Sequence, residues 1–208
     1  MAGRSTIASE GHDGKRLRMT SRVIIGISGA SGAAYGLAAL RALRPTDVET
    51  HLVISKAAAR TIVEETELSV DEVRAMADVV HSNADIGASI ASGSFRTLGM
   101  LVAPCSVKSA SEIAWGITSS LLSRAADVTL KERRRLVLMF RETPLHGGHL
   151  RTLTQLDAAG AIVMPPVPAL YAKPQSVQEL VDHSVGRALD LIGIDVGLVR
   201  RWKDDDGD

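Results

Sequence analysis

The chain has 208 residues, and its 24 basic and 24 acidic side chains give a formal net charge of zero at pH 7. A chain with this charge balance does not produce the positive field of a nucleic-acid-binding protein, so we expect no nucleic-acid partner. No apolar run is long enough to span a membrane, so we expect no membrane insertion either. The single cysteine, Cys105, excludes an intrachain disulfide and a cysteine-based metal cluster, and it makes a reducing compartment, the cytoplasm, the expected location.

The two ends of the chain differ in composition from the rest. Residues 1–20 are polar and include the basic residues Lys15, Arg16 and Arg18, but they lack the apolar centre of a signal peptide. We interpret them as a disordered leader, and residues 203–208 as a loose acidic tail. Residues 21–202 are long enough to bury a full core, and they are expected to form a single domain.

The first predicted unit is a strand, a loop and a helix. An apolar run at 22–27 leads into glycine and small hydroxyl residues up to Gly32, and the alanine-rich stretch 33–43 has good helix propensity. Backbone N–H groups in such a loop, together with the positive end of the helix, suit a phosphate, although a plain turn of an α/β domain has the same pattern. The loop matches neither the common dinucleotide fingerprint nor a P-loop.

Strands and helices alternate along the rest of the chain. Ser69 and Glu72 have the spacing of a capping box, Gly160 is typical of a helix C-terminus, and Pro104 is expected to end the central strand. The stretch 83–96 is small and polar and is interpreted as a long functional loop. The predicted strands are 48–54, 79–81, 98–103, 135–140 and 161–164, and the predicted helices are 56–65, 106–115, 149–159 and 176–191.

These patterns predict an α/β fold with a doubly wound, mainly parallel sheet between two layers of helices. The strands are continuous apolar runs, which indicates burial on both faces of the sheet. In such sheets the ligand binds outside the carboxyl ends of the strands. Several predicted strands end there in small polar or charged residues, which makes this edge the expected site.

Two segments after buried strands carry candidate site residues. Ser106 can cap the next helix, bind an anion with that helix end, or do both, and Lys108 adds a positive charge. Cys105 has no neighbouring histidine, so a small buried residue is favoured over a nucleophile. Arg141 and Glu142 either face the cleft or form a surface ion pair of little energetic consequence.

Other polar residues allow a structural or a functional role. Tyr171 lies in a proline-rich loop and Arg187 on a polar arc of the last helix, while the charge run around Lys131 is interpreted mostly as a solvated helix face. His146 and His149 are three residues apart, but no third ligand is near them in the sequence, so we expect no metal site.

Taken together, these segments resemble the flavin prenyltransferase family, whose members make prenylated FMN for a separate decarboxylase of ubiquinone or aromatic-acid metabolism. The resemblance runs from Arg22 to about Trp202, and its strength lies in the ordered set of motifs. Two small departures are Leu170, where the family often has phenylalanine, and Ser120, near a family asparagine. The motifs are 26–32, 53–57, 91–95, 104–109, 123–134, 141–145, 160–168 with Tyr171, and 181–187.

The resemblance implies a flavodoxin-like Rossmann fold that binds FMN and dimethylallyl phosphate and joins the prenyl group to N5 and C6 of reduced FMN without a metal. It assigns FMN contacts to Gly29, Ala30, Ser31, Ser55, Ser106, Val107, Lys108, Ser109 and Arg141. It assigns the prenyl phosphate to Tyr171 and Arg187, and the catalytic charges to Glu142, Glu65, Lys131 and Arg124. A leaving phosphate needs cations that stabilise its charge and an acid that protonates it.

We expect an oligomer for a geometric reason as well. If 56–65 is a helix, Glu65 lies roughly 15 Å along it from Ser55, too far for both to reach one flavin ring from the same subunit. A neighbouring subunit would resolve this conflict, and the family resemblance implies a homododecamer with interfacial sites.

Two alternatives share the fold and the FMN site. One is the sister group of FMN-dependent cysteine decarboxylases, whose Pro-x-Met-Asn motif has no counterpart at Pro104-Cys105-Ser106. The other is a non-catalytic flavin-binding subunit of a decarboxylase complex, for which the charged residues Glu142, Lys131 and Arg187 would be unnecessary.

Overall fold

A computed structural model describes residues 21–201, and the expected leader at 1–20 and acidic tail at 203–208 lie outside the described residues. Six parallel strands form one sheet in the order β3-β2-β1-β4-β5-β6, so the predicted parallel sheet is confirmed. The strands are β1 (Ser21–Ile27), β2 (Val48–Ile54), β3 (Val79–His81), β4 (Gly99–Cys105), β5 (Arg135–Phe140) and β6 (Ile162–Val163).

Helices connect the strands and cover the sheet. The predicted capping box of Ser69 and Glu72 is present. Five helices begin at a serine whose side chain accepts from a first-turn N–H, namely Ser55, Ser69, Ser106, Ser120 and Ser176. The helices are α1 (Ala33–Leu43), α2 (Lys56–Glu65), α3 (Val70–Arg74), α4 (Val107–Ala114), α5 (Leu121–Lys131), α6 (Gly147–Ala158) and α7 (Val177–Ile192), with 3₁₀ turns at Ser89–Ala91 and Leu170–Ala172.

The core has two halves, one on each face of the sheet. Alternate residues of β1 point to opposite faces: Val23 and Ile25 pack with α1, α2 and α7, whereas Ile24 packs with α4, α5 and α6. All seven residues of β4 are buried, as expected for a strand covered on both sides. The predicted three-layer α/β/α architecture is therefore confirmed.

Three details differ from the sequence expectations. β4 continues through Pro104 to Cys105, because the proline lies at a register irregularity, where a missing N–H is tolerated. α6 begins at Gly147, two residues early, since the His146 side chain accepts a hydrogen bond from the N–H of Gly148 and caps it. The one-sided apolar pattern of 176–191 predicts that Val177 is buried, but it is 76% exposed because no described residue covers the first turn of α7.

Candidate functional site: a cleft at the switch point of the sheet

The strand order reverses between β1 and β4, which follow each other in the sheet but lead to helices on opposite faces. Ser28 joins the loops after these strands. Its N–H and its hydroxyl both donate to the Pro104 carbonyl oxygen, at 3.2 and 2.9 Å, and its Oγ accepts from the N–H of Ser106 at 2.7 Å. A crevice at this position is where open α/β sheets bind ligands.

A cleft of about 370 Å³ opens at this edge, a volume typical of small-molecule sites. We call it the switch-point cleft. It is lined by Gly29, Ser55, Lys56, Ala57, Arg60, Asn83, Ser106, Lys108, Ser109, Glu112, Ser120 and Leu122. Residues that follow β1, β2, β3 and β4 thus meet in one place.

Two helices, α2 and α4, begin in this cleft. Ser55 Oγ accepts from the N–H of Ala58 at 3.1 Å, and Ser106 Oγ accepts from that of Ser109 at 3.3 Å, so each serine caps its helix. The Ser106 hydroxyl donates to Ser109 Oγ at 3.2 Å, which leaves the hydroxyl hydrogens of Ser55 and Ser109 to donate to a ligand. Within residues 21–201, no acceptor faces the first-turn N–H groups of Lys56, Ala57, Val107 and Lys108. Free N–H groups at two helix N-termini attract an anion.

Gly29 allows α2 to approach the loop after β1. A Cβ atom at Gly29 would lie 2.2 Å from Cβ of Ala57 and 3.1 Å from its backbone carbon, so any larger residue would push the start of α2 away. The glycine therefore fixes one wall of the switch-point cleft.

Glu65 lies at the start of α1. Its Oε2 accepts from the N–H groups of Gly32 and Ala33, at 2.8 and 2.9 Å, and the nearby Ser31 side chain also lowers the pKa of this carboxyl. Partial burial opposes ionisation, but these hydrogen bonds and the nearby Arg141 outweigh it and hold the Glu65 pKa below its ordinary value. A carboxylate therefore occupies the helix end that the sequence pattern assigned to a phosphate.

Arg141 and Glu142 directly follow β5 and have different surroundings. The N–H of Arg141 donates to the Cys105 carbonyl oxygen at 2.9 Å, which ties this end of β5 to β4. Glu142 is exposed, and its Oε1 accepts from the N–H of Thr143 at 2.9 Å. The two side chains form no ion pair with each other, so the surface-pair interpretation does not describe them.

Arg124 and Lys131 lie on α5, along the face of the sheet. Arg124 pairs with Asp127 at 2.8 Å, and Lys131 pairs with Glu132 at 2.6 Å. α5 begins beside the cleft at Leu121, but Lys131 is its last residue, roughly 15 Å further along the helix, towards the amino-terminal end of β5. One chain therefore does not bring Lys131 to its own switch-point cleft.

Tyr171 contacts α7, the helix that carries Arg187. The ring of Tyr171 meets that of His183 edge-on with centroids 5.8 Å apart, and His183 lies one helical turn before Arg187. Arg187 pairs with Asp190 at 3.0 Å, and Asp190 also holds Arg201 at 3.3 Å. Neither Tyr171 nor Arg187 lines the switch-point cleft.

Of the predicted flavin contacts, Gly29, Ser55, Ser106, Lys108 and Ser109 line the cleft. Ala30 lies beside Gly29 in the loop after β1, and Val107 is the first residue of α4. Ser31 and Arg141 lie near Glu65 instead. Sequence reasoning assigned no site role to the other lining residues, namely Lys56, Ala57, Arg60, Asn83, Glu112, Ser120 and Leu122.

Asn83 lies two residues after the end of β3, and this position could have indicated it. Its backbone oxygen accepts from the N–H of Leu121 and its Oδ1 from that of Leu122, at 2.9 and 3.0 Å, so it fixes the start of α5.

Other expectations concern a thiol, metals and membranes. Cys105 is fully buried, and burial raises its pKa to about 12, which rules out a thiolate nucleophile at neutral pH. Within residues 21–201, histidine, cysteine and acidic side chains form no group of three that could hold a metal ion. Over the same range, none of the helices has the length and apolar character needed to cross a membrane.

A parallel α/β sheet with an anion-attracting cleft at its switch point defines a flavodoxin-like protein suited to a phosphate-bearing ligand. The family model described as Flavoprotein matches residues 13–189. The flavin prenyltransferase UbiX of Escherichia coli (strain K12) is 56% identical over 185 residues, which are 88% of this chain and 98% of that protein. The chain belongs to the flavin prenyltransferase family, and the resemblance seen in its motifs is confirmed.

Two solved structures agree with this assignment. The crystal structure of AnUbiX (PadA1) in complex with FMN and dimethylallyl pyrophosphate superimposes with a TM-score of 0.87 at 50% identity, over 89% of this chain and 98% of that one. A dodecameric FMN-dependent Ubix-like decarboxylase from Escherichia coli O157:H7 gives a TM-score of 0.85 at 48% identity, over 88% and 99%.

Proposed function

We infer that this chain is a flavin prenyltransferase that joins the dimethylallyl group of dimethylallyl phosphate to N5 and C6 of reduced FMN. The product, prenylated FMN, serves a separate decarboxylase. The main observation that supports this function is the switch-point cleft, which is lined by two helix N-termini, serine hydroxyls and three cationic side chains. Membership of the flavin prenyltransferase family supplies the reaction that such a flavin site serves.

The phosphate of FMN is proposed to bind at the starts of α2 and α4. The free N–H groups there can donate to phosphate oxygens, and the hydroxyls of Ser55 and Ser109 can add further donors. Lys56 and Lys108 contribute charge from the first turn of each helix. Gly29, with Ala30 and Ser31, then brings the loop after β1 against the flavin.

Glu142 and Glu65 are proposed to handle protons, each in a different way. When the allylic C–O bond breaks, the departing phosphate gathers negative charge, and closure of the ring at C6 requires removal of a proton. Glu142 is exposed at the carboxyl end of β5 and can donate to the phosphate. Glu65, whose lowered pKa keeps it ionised at neutral pH, suits the accepting role, and Arg141 stabilises the charge beside it.

The remaining charged residues are proposed to act on a neighbouring subunit's cleft. Lys131 and Arg124 on α5, and Tyr171 and Arg187 at α7, carry the cations and the hydroxyl that a prenyl phosphate requires, yet none of them lines the cleft of its own chain. Large apolar side chains are exposed around Tyr171, as expected of a surface that a second copy covers. They are Val167, Leu170 and Val177. A homododecamer, the state of the E. coli O157:H7 relative, would bring these parts together.

We also propose a cytoplasmic location. The flavin substrate must be reduced, and a protein whose single cysteine is a free, buried thiol is compatible with a reducing compartment.

Turnover of reduced FMN with dimethylallyl phosphate tests the function directly. Under anaerobic conditions, the protein should convert reduced FMN to the prenylated product and release one phosphate per flavin, with chelator present throughout. Flavin binding without turnover would favour the non-catalytic subunit. Decarboxylation of a peptide carboxy-terminal cysteine, without prenylation, would favour the cysteine decarboxylase group.

A further inference from the structure

One acidic side chain, Glu112, lines the switch-point cleft among the described residues. The other charged residues of the lining are cations, namely Lys56 and Arg60 on α2 and Lys108 on α4. A carboxylate is unfavourable in the wall of a site for a phosphate dianion, because like charges repel in a partly desolvated volume. Its presence therefore calls for a specific role.

Glu112 is held firmly and is ionised. Its Oε1 accepts from Nζ of Lys108 and from Oγ of Ser119, each at 2.6 Å, and its side chain is only 14% exposed. Burial of the carboxyl opposes ionisation, but Lys108, Ser119 and Ser123 outweigh this effect and keep the Glu112 pKa below its ordinary value. At neutral pH the cleft therefore contains a fixed negative charge.

The contact with Glu112 determines where the Lys108 ammonium lies. Lys108 is the second residue of α4 and Glu112 the sixth, so the carboxylate lies one helical turn, about 6 Å, further from the N-terminus that faces the proposed phosphate position. The Lys108 side chain is 76% exposed and can move. Its charge is therefore drawn along α4, away from the free N–H groups of Val107 and Lys108.

We propose that Glu112 is a positioning residue that competes with the flavin phosphate for Lys108, and so weakens binding of the phosphorylated flavin and accelerates release of the product. The proposal rests on the proposed function, because it takes the cleft to be the FMN site. A transferase whose product acts on another enzyme must release that product. Three cations and two helix N-termini would otherwise retain a dianionic phosphate strongly.

The test compares FMN with riboflavin, which lacks the phosphate, in the full-length protein. Glu112→Gln removes the charge but keeps a side chain that can accept from Ser119. We expect FMN to bind roughly three- to tenfold more tightly and to dissociate correspondingly more slowly, since a partly exposed ion pair is the competitor that is lost. Riboflavin affinity should stay unchanged, and steady-state turnover should fall because release of the prenylated product slows.

Two further variants separate the charge from the local fold. In a Lys108→Ala background, most of the effect of Glu112→Gln on FMN affinity should disappear, because the ammonium for which the two anions compete is gone and only direct repulsion between carboxylate and phosphate remains. Ser119→Ala removes the other hydrogen bond but keeps the carboxylate, and it should leave the ratio of FMN to riboflavin affinity at the parental value. If the α4–α5 turn were responsible, Ser119→Ala would reproduce the effect of Glu112→Gln.

Three outcomes would overturn the proposal: weaker FMN binding by Glu112→Gln, an equal change for riboflavin, or an effect on FMN affinity that is undiminished in the Lys108→Ala background. Failure of the proposed function looks different, because the parent protein itself would then fail to bind FMN in preference to riboflavin or to turn it over.

Discussion

Replacement of Glu65 tests the link between α2 and the start of α1. Glu65→Ala removes a charged acceptor from the N–H groups of Gly32 and Ala33, which lie 2.8 and 2.9 Å from Oε2. No other acceptor within residues 21–201 faces these two N–H groups, so water must replace the carboxylate. The change therefore resembles the loss of a helix N-cap, made here from a distant part of the chain.

The expected loss of stability is modest. Loss of an N-cap costs about 1 kcal/mol, and the exposed position of Glu65 keeps the loss near that figure because water solvates the freed N–H groups. For a chain of this size, such a change lowers Tm by about 2–4 °C. Glu65→Gln retains an acceptor oxygen without the charge and should lie between the parent and Glu65→Ala.

The effect should also depend on pH in a defined direction. The folded-state pKa of Glu65 is lowered from 4.5, so its stabilisation is complete above the unfolded value and is lost as the pH falls through the folded value. The difference in Tm between the parent and Glu65→Ala should therefore be constant above about pH 5 and shrink below pH 4.5.

Thermal unfolding followed by circular dichroism at pH 7 and pH 3.5 measures both effects. Glu64→Ala is the matched control, because Glu64 is the neighbouring acidic residue of α2 and is exposed without a hydrogen bond or ion pair to another described residue. An equal fall in Tm for Glu64→Ala and Glu65→Ala at pH 7 would refute the capping role. A difference that stays undiminished at pH 3.5 would refute the ionised state.

Three further predictions concern the site. Glu142→Gln should keep FMN affinity but slow prenylation roughly 10²–10⁴-fold, as measured by single-turnover absorbance of reduced FMN. A rate within a few-fold of the parent would show that Glu142 does not take part in the proton transfer. Arg187→Ala and Tyr171→Phe should each cost about 1.5–3 kcal/mol of interaction free energy with dimethylallyl phosphate and have less effect on the free energy of FMN binding. Equal losses for both ligands would contradict the assignment. Gly29→Ala should lower the free energy of unfolding by about 1–3 kcal/mol in denaturant unfolding, because its Cβ would overlap Ala57. Gly87→Ala is the control and should leave stability unchanged, because Gly87 is exposed and has space for a Cβ.

The sequence by itself determined most secondary structure of this protein. The bounds of α1, β2, α2, β3 and β5 agree with the predicted ranges, because apolar runs, serine caps and alanine-rich stretches act over a few neighbouring residues. Pro104 and the glycines before His149 were misleading, since a strand irregularity and a side-chain cap compensated for poor local preference. The ordered motifs carried the family assignment, which the comparisons confirmed.

Only the tertiary structure decided which of these residues meet. Gly29, Ser55 and Ser106 are separated by up to 77 positions, and they share a cleft because β1, β2 and β4 are neighbours in the sheet. The local sequence pattern does not show which strands are neighbours in the sheet, because the strand order is set by the packing of helices on both faces. The same packing placed Glu65 at the start of α1. It also placed Lys131 beyond the reach of its own cleft, because α5 begins beside the cleft and carries its last residue roughly 15 Å away along the sheet.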